Sequence, residues 1–273
     1  MVSNDQRRRQ LAREKFLRQQ QRRESARRRA RTRNTVIASA LAVVVVAGAG
    51  AFAAGAFDGK DTKNAKDTAA SKPSASPSKA ADPCEKPAAG KVKPLSWKKE
   101  PALTIDKSAG YTMNLATTCG DIGIDLKAKE APHTVNSFDF LAGKGFFDHT
   151  KCHRLTTNGI YVLQCGDPKG TGAGGPGYTI PDENLKDKSL KGNVYPAGTI
   201  AMANTGQKHT GGSQFFLVYQ DSQLPPSYTP FGTISDSGMK VLKKIAAAGE
   251  STGQGDGAPN ATVVIDKATV KKS

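Results

Sequence analysis

From residue 111 onward, apolar and polar residues alternate in short runs. Tyr111–Thr117 alternates, Cys119-Gly120-Asp121 turns the chain, and Ile122, Ile124 and Leu126 then share one face, which predicts a β-hairpin. Pro132 opens a run with Val135, Phe138, Phe140 and Leu141 ahead of Gly143, which predicts a short helix with proline in its first turn. His153, Arg154 and Leu155 read as a strand before the turn at Asn158-Gly159, and Ile160, Tyr161, Val162 and Leu163 read as the strand after it. A second helix is expected over residues 239–248, where Val241, Leu242 and Ile245 share a face, and a last strand over 261–270. Short strands between turn-rich loops, with two helices far apart in sequence, point to a mainly β fold, a closed antiparallel barrel over residues 100–273.

The hairpin around Asn158-Gly159 has a chemical consequence. It makes Arg154 and Gln164 near partners, because opposed residues of a strand pair lie about 5 Å apart. Such a pair can hold a guanidinium still.

The first 99 residues follow a different pattern. Residues 35–57 carry no charge, and at about 1.5 Å per residue they would span roughly 34 Å as a helix, enough for a hydrocarbon core of about 30 Å. Before them, residues 1–34 hold thirteen Lys/Arg and three acids, so +10 of the chain's +16 formal charge lies in this arm. An Arg-rich arm can neutralise phosphates, but its position against an apolar run favours a membrane, and no nucleic acid partner is expected. The positive excess predicts a single-pass protein of the cell membrane, with its N-terminus cytoplasmic and residues 100–273 extracellular. Ala47-Gly48-Ala49 and Ala51-Phe52-Ala53 resemble cleavage sites, yet the basic region and the apolar run are both longer than in a signal peptide, which favours an uncleaved anchor. Residues 58–99, rich in Lys, Ala, Ser, Pro and Asp, read as a flexible, disordered linker.

Cys84, Cys119, Cys152 and Cys165 all fall on the external side, where disulfides are admissible. Cys152 and Cys165 flank the second hairpin, so a bridge between them needs little rearrangement, and by elimination Cys84 would join Cys119; four free thiols are the alternative. No C-x-x-C occurs, and His133, His149, His153 and His209 show no metal-ligand spacing, so no metal is expected. His153 is expected to hydrogen-bond within its strand. Residues 170–175 contain G-x-G-x-x-G, but Gly175-Pro176-Gly177 would break the helix that a dinucleotide site requires. Ser213, in Gly-Gly-Ser-Gln, lacks the surroundings of a hydrolase nucleophile. No cofactor is expected.

Four blocks occur in order: Cys152-His153-Arg154-Leu155, residues 159–167 (Gly-Ile-Tyr-Val-Leu-Gln-Cys-Gly-Asp), Met202-Ala203-Asn204, and residues 211–216 (Gly-Gly-Ser-Gln-Phe-Phe). Together they resemble the signature of cyclophilin-type peptidyl-prolyl cis-trans isomerases over roughly residues 100–270, and with the anchor the arrangement is similar to membrane-anchored actinobacterial forms. The resemblance implies an eight-stranded barrel capped by two helices that isomerises X-Pro bonds in proline-containing segments of exported proteins; a monomer is expected. It makes Arg154 the catalytic guanidinium and Gln164 the residue that orients it. Tyr161, Val162, Phe216 and Leu224 would line the proline pocket with Tyr228 beside them, while Ala203 and Asn204 would bind the preceding residue and Gln214 would lie in the same groove. Gln223 and Tyr228 stand where the family often has Trp and His, which implies weakened cyclosporin binding. The competing reading is a non-catalytic, membrane-tethered binder of proline-containing peptides.

Overall fold

In the computed structural model, which describes residues 81–273, the alternating run does form a hairpin. Its strands are β1 (Tyr111–Thr117) and β2 (Gly120–Leu126), with Met113 opposite Ile124 and Leu115 opposite Ile122, all four buried on one face. The last strand, β12 (Val264–Lys272), pairs with the other edge of β1. The intervening strands are β3 (Thr150–Lys151), β4 (Arg154–Thr156), β5 (Val162–Cys165), β6 (Val194–Tyr195), β7 (Thr199–Met202), β8 (Phe215–Val218), β9 (Ser222–Gln223), β10 (Pro230–Ile234) and β11 (Asp256–Gly257). Ten of them form one antiparallel sheet in the order β11-β4-β5-β8-β7-β10-β2-β1-β12-β3, and β6 pairs with β9 separately.

The sheet curls because one run of chain serves both of its ends. β3 is the last strand at one end, and β4 is next to last at the other, yet only Cys152 and His153 separate them. Cys152 N–H donates to Val263 O at 3.0 Å and His153 N–H to Gln164 O at 3.1 Å, so the chain changes partners within two residues. The sheet has ten strands where eight were expected, because residues 150–156 break into β3 and β4 and the two-residue β11 adds itself to one edge.

Two helices complete the fold. α1 (Pro132–Gly143) starts at proline, and its first free N–H groups are met by a distant side chain: Glu183 accepts from His133 N at 3.0 Å and Thr134 N at 2.9 Å. α2 (Asp236–Ala247) is capped by Ser235, whose hydroxyl accepts from Gly238 N at 3.1 Å, and it buries Leu242 and Ile245. Inside the curled sheet Phe138 of α1 meets Phe231, Phe147 and Phe215 at centroid separations of 4.6, 5.3 and 5.6 Å. Such pairs add about 0.5–1.5 kcal/mol each beyond the area they bury.

The expected flexible linker ran to residue 99, but residues 84–97 are fastened to the sheet. Cys84 is bridged to Cys119, Glu85 N–H donates to Thr118 O at 2.8 Å, and Ala88 N–H donates to Asp266 Oδ1 at 3.0 Å. Trp97 packs 5.0 Å from Phe140 of α1 and 6.0 Å from Phe146, and its N–H donates to Pro176 O at 2.8 Å. A disulfide and one large apolar side chain offset the ordering that a Lys/Ala/Pro composition alone would not repay. Among the described residues no helix is long and apolar enough to cross a membrane; the arm over 1–34, the expected anchor over 35–57 and most of the expected linker lie outside them.

Candidate active site

Strand alternation builds a second apolar cluster on the opposite face of the sheet from the core. Along β8, Phe215 and Leu217 point into the core, while Phe216 and Val218 belong to the other cluster with Val162 of β5, Ala201 of β7 and Tyr195. The two-residue period thus gives each of these strands a structural face and a binding face.

A cavity of about 230 Å³ opens on that second face. Val162, Phe216, Leu224 and Tyr228 form its apolar wall with Ile160, and Arg154, Gln164, Ala203 and Asn204 form its polar edge. The Phe216 and Tyr228 rings meet edge-on at 5.4 Å. The loop that carries Leu224 and Tyr228 is fastened: Leu224 N–H donates to Asn193 O at 3.0 Å, Tyr195 Oη donates to Tyr228 O at 2.8 Å, and Asn204 Nδ2 donates to Ser227 O at 2.7 Å.

Arg154 and Gln164 are direct partners in the β4–β5 ladder, as the hairpin predicted. Arg154 Nη1 donates to Gln164 Oε1 at 3.2 Å; Gln164 Nε2 donates to Gln214 Oε1 at 2.9 Å, and Gln214 Nε2 to Gly174 O at 2.9 Å. Gln214 therefore lines an adjoining cavity of about 540 Å³, which shares Gln164, Ala203 and Asn204 with the first. The loop behind this second cavity is folded around Asp167. Burial opposes ionisation there, but backbone N–H groups of Lys169, Gly174, Thr171 and Gly172 outweigh it and hold the carboxyl below its usual range. A Cβ at Gly174 would run into the Asp167 carboxylate that these N–H groups hold.

Residues 112–270 match the family described as cyclophilin type peptidyl-prolyl cis-trans isomerase/CLD. The chain belongs to this family. It is 51% identical over 196 residues to the probable peptidyl-prolyl cis-trans isomerase B of Mycobacterium leprae, covering 69% of this chain and 62% of that one. The counterpart of the same description in Mycobacterium tuberculosis is 46% identical, with 70% and 60% covered. The chain thus spans about three fifths of the length of these relatives. Its fold is similar to a crystal structure of a Cryptosporidium parvum cyclophilin-type isomerase, at 26% identity and TM-score 0.50 over 60% of this chain and 99% of that one. A second structure of that protein, in the presence of the dipeptide Ala-Pro, also has a TM-score of 0.50, at 27% identity over 59% of this chain and 99% of that one.

In this cyclophilin most of the site residues expected from sequence meet around the two cavities, with one exception. Tyr161 does not line the smaller cavity; its ring packs against Tyr219 at 5.9 Å, beside the main core, and Ile160 takes the place expected for it. The reason is local: an isolated bridge between Asn158 and Ile160 precedes β5, so regular alternation begins only at Val162. His153 also departs from expectation, because both ring nitrogens are buried without a partner. Burial depresses its pKa, partly opposed by Asp167. Both cysteine pairings, Cys152–Cys165 and Cys84–Cys119, are formed.

Asp256 was not expected at the site. Its Oδ1 accepts from Arg154 Nε at 2.7 Å and its Oδ2 from Nη2 at 2.8 Å. These hydrogen bonds, donated by Arg154 and accepted by Asp256, raise the Arg154 pKa and lower that of Asp256. Only the turn-rich Gly253-Gln254-Gly255-Asp256-Gly257 run marks this position in the sequence.

Proposed function

We propose that this cyclophilin is a peptidyl-prolyl cis-trans isomerase that acts on proline-containing segments of exported proteins outside the cytoplasmic membrane. The observation that carries the reading is a held guanidinium at the edge of a small apolar cavity. A prolyl ring fits against Phe216, Leu224 and Val162, and the residue before it lies along Ala203 and Asn204. The structure of the Cryptosporidium parvum relative in the presence of the dipeptide Ala-Pro supports a proline-containing ligand.

Isomerisation twists the X-Pro amide out of the resonance that gives it a barrier of about 18–20 kcal/mol. As the amide twists, its nitrogen lone pair localises and becomes a hydrogen-bond acceptor. Arg154 N–H groups aimed at that nitrogen, or at the prolyl carbonyl oxygen, stabilise the twisted form more than the planar one. No proton transfer or covalent step is needed. The demand is modest: uncatalysed isomerisation takes about 10–100 s, so a turnover of about 10 per second asks for roughly 10² to 10³-fold acceleration, or about 3–4 kcal/mol. Charge-assisted hydrogen bonds from the guanidinium are of that order.

The proposed location rests on two disulfides, which persist in oxidising compartments, and on the basic arm followed by the uncharged run. Exchange NMR on a short X-Pro peptide tests the activity. Catalysis transfers magnetisation between the cis and trans signals within a second, whereas a binding module shifts the signals without exchanging them.

A further inference from the structure

Asp256 holds the Arg154 guanidinium more closely than Gln164 does. Its two oxygens take Nε–H at 2.7 Å and Nη2–H at 2.8 Å, against a single contact of 3.2 Å from Nη1 to Gln164. A two-point grip fixes the plane of the guanidinium, which one hydrogen bond does not. The grip is itself anchored. Asp256 and Gly257 pair with Thr156 and Leu155 in the strand that carries Arg154, so both partners hang from one ladder. Glu250 gathers the turn before Asp256, accepting from Gly255 N at 2.8 Å and Thr252 N at 2.6 Å. Gly255, at φ +91°, lets the turn pass so close to Asn158 that a Cβ would stand 2.4 Å from it.

We infer that Asp256 is a positioning residue for the isomerase, fixing the aim of Arg154 into the proline cavity. The inference rests on the reading of Arg154 given above and adds a part to it. A guanidinium has five N–H bonds; Asp256 takes two and Gln164 one, which leaves two, one on each terminal nitrogen. With the Nε edge occupied by the carboxylate, those two point away from Asp256 and remain open to a prolyl amide. Without the grip the group turns about its Cδ–Nε bond and the open donors lose their direction. The pair is also formally neutral, so direction rather than net charge is what it presents to the twisting amide.

The test uses the 273-residue chain, its variants and an X-Pro peptide. Asp256→Asn is expected to lower kcat about tenfold while KM stays within about twofold, as for an interaction realised in the transition state. Asp256→Glu, which keeps the carboxylate, is expected to recover most of that loss. In an Arg154→Ala background Asp256→Asn is expected to change nothing further. The Arg154 Nε–H signal in ¹⁵N NMR, sharp and slowly exchanging in the unsubstituted chain, is expected to broaden in Asp256→Asn. Unchanged kcat in Asp256→Asn, or an equal loss with and without Arg154, overturns the inference. So does an Nε–H signal that exchanges equally in both proteins. An unsubstituted chain with no isomerase activity overturns the reading of Arg154 instead, and the NMR signal then still decides whether Asp256 fixes the guanidinium.

Discussion

Arg154 stands directly opposite Gln164 in the β4–β5 ladder, and the Cys152–Cys165 disulfide closes the same hairpin from just outside the pair. Strand register decides which face a side chain meets, and a slip of one residue would carry Gln164 to the other side of the sheet. The bridge therefore secures the register on which the Arg154–Gln164 contact depends.

Gln164 links that contact to Gln214 and, through it, to Gly174. Gln164→Ala removes the relay but leaves Asp256 holding the guanidinium. We expect kcat/KM for an X-Pro peptide to fall about threefold, roughly 0.7 kcal/mol, less than in Arg154→Ala. A loss as large as that of Arg154→Ala would mean that Asp256 contributes nothing to holding the group.

The hairpin bridge spans 13 residues, for which loss of loop-closure freedom in the unfolded chain corresponds to about 3 kcal/mol. The Cys152→Ala/Cys165→Ala protein should show a correspondingly lower urea midpoint. Both sulfurs lie in buried residues, so reductant should open this bridge in the native protein only slowly. Rapid thiol release without denaturant would contradict that burial.

Trp97 joins the N-terminal strap to α1 and to the loop that ends at Pro176. Trp97→Ala should cost about 2 kcal/mol, below the 3–5 kcal/mol of a fully buried tryptophan because this one is half-buried. Limited proteolysis should then cut within residues 85–97 faster than in the unsubstituted protein. An unchanged cleavage rate would show that the disulfide alone holds the strap.

Stability should decline with falling pH in two stages. Burial holds the His153 pKa below 6.5, its ordinary value, so its contribution is present above about 6.5 and is lost as pH falls toward its lower folded value. Asp187 is also depressed: burial opposes this, but Lys127 at 2.6 Å, Ser189 and Asn184 outweigh it. Asp256, beside Arg154, and Asp167 follow the same direction. Their contributions are present above about 3.9, the ordinary Asp value, and are lost as pH falls through the depressed folded values. Urea midpoints from pH 8 to 3 should show the first stage and the onset of the second, and His153→Phe should flatten only the first.

What could be read from sequence divides along physical lines. The β1–β2 hairpin, α1 and the Arg154–Gln164 pair are local, set by alternation, a proline start and one turn at Asn158-Gly159. Ile160 replaced Tyr161 in the wall because the chain between that turn and β5 is irregular, where a two-residue period carries no information. The strap escaped because its composition is that of a linker and its order comes from partners far along the chain, Thr118, Phe140 and Pro176. Asp256 lies 102 residues from Arg154, a separation at which local pattern has nothing to say.

The account centres on Arg154, and the most direct measurement is kcat/KM for an X-Pro peptide with the unsubstituted protein, Arg154→Lys and Arg154→Ala, each shown to be folded by its urea midpoint. A planar, held donor at the cavity edge predicts a loss of at least about tenfold in Arg154→Ala and little recovery in Arg154→Lys, since an ammonium supplies charge without the fork. Equal activity in all three folded proteins would contradict it.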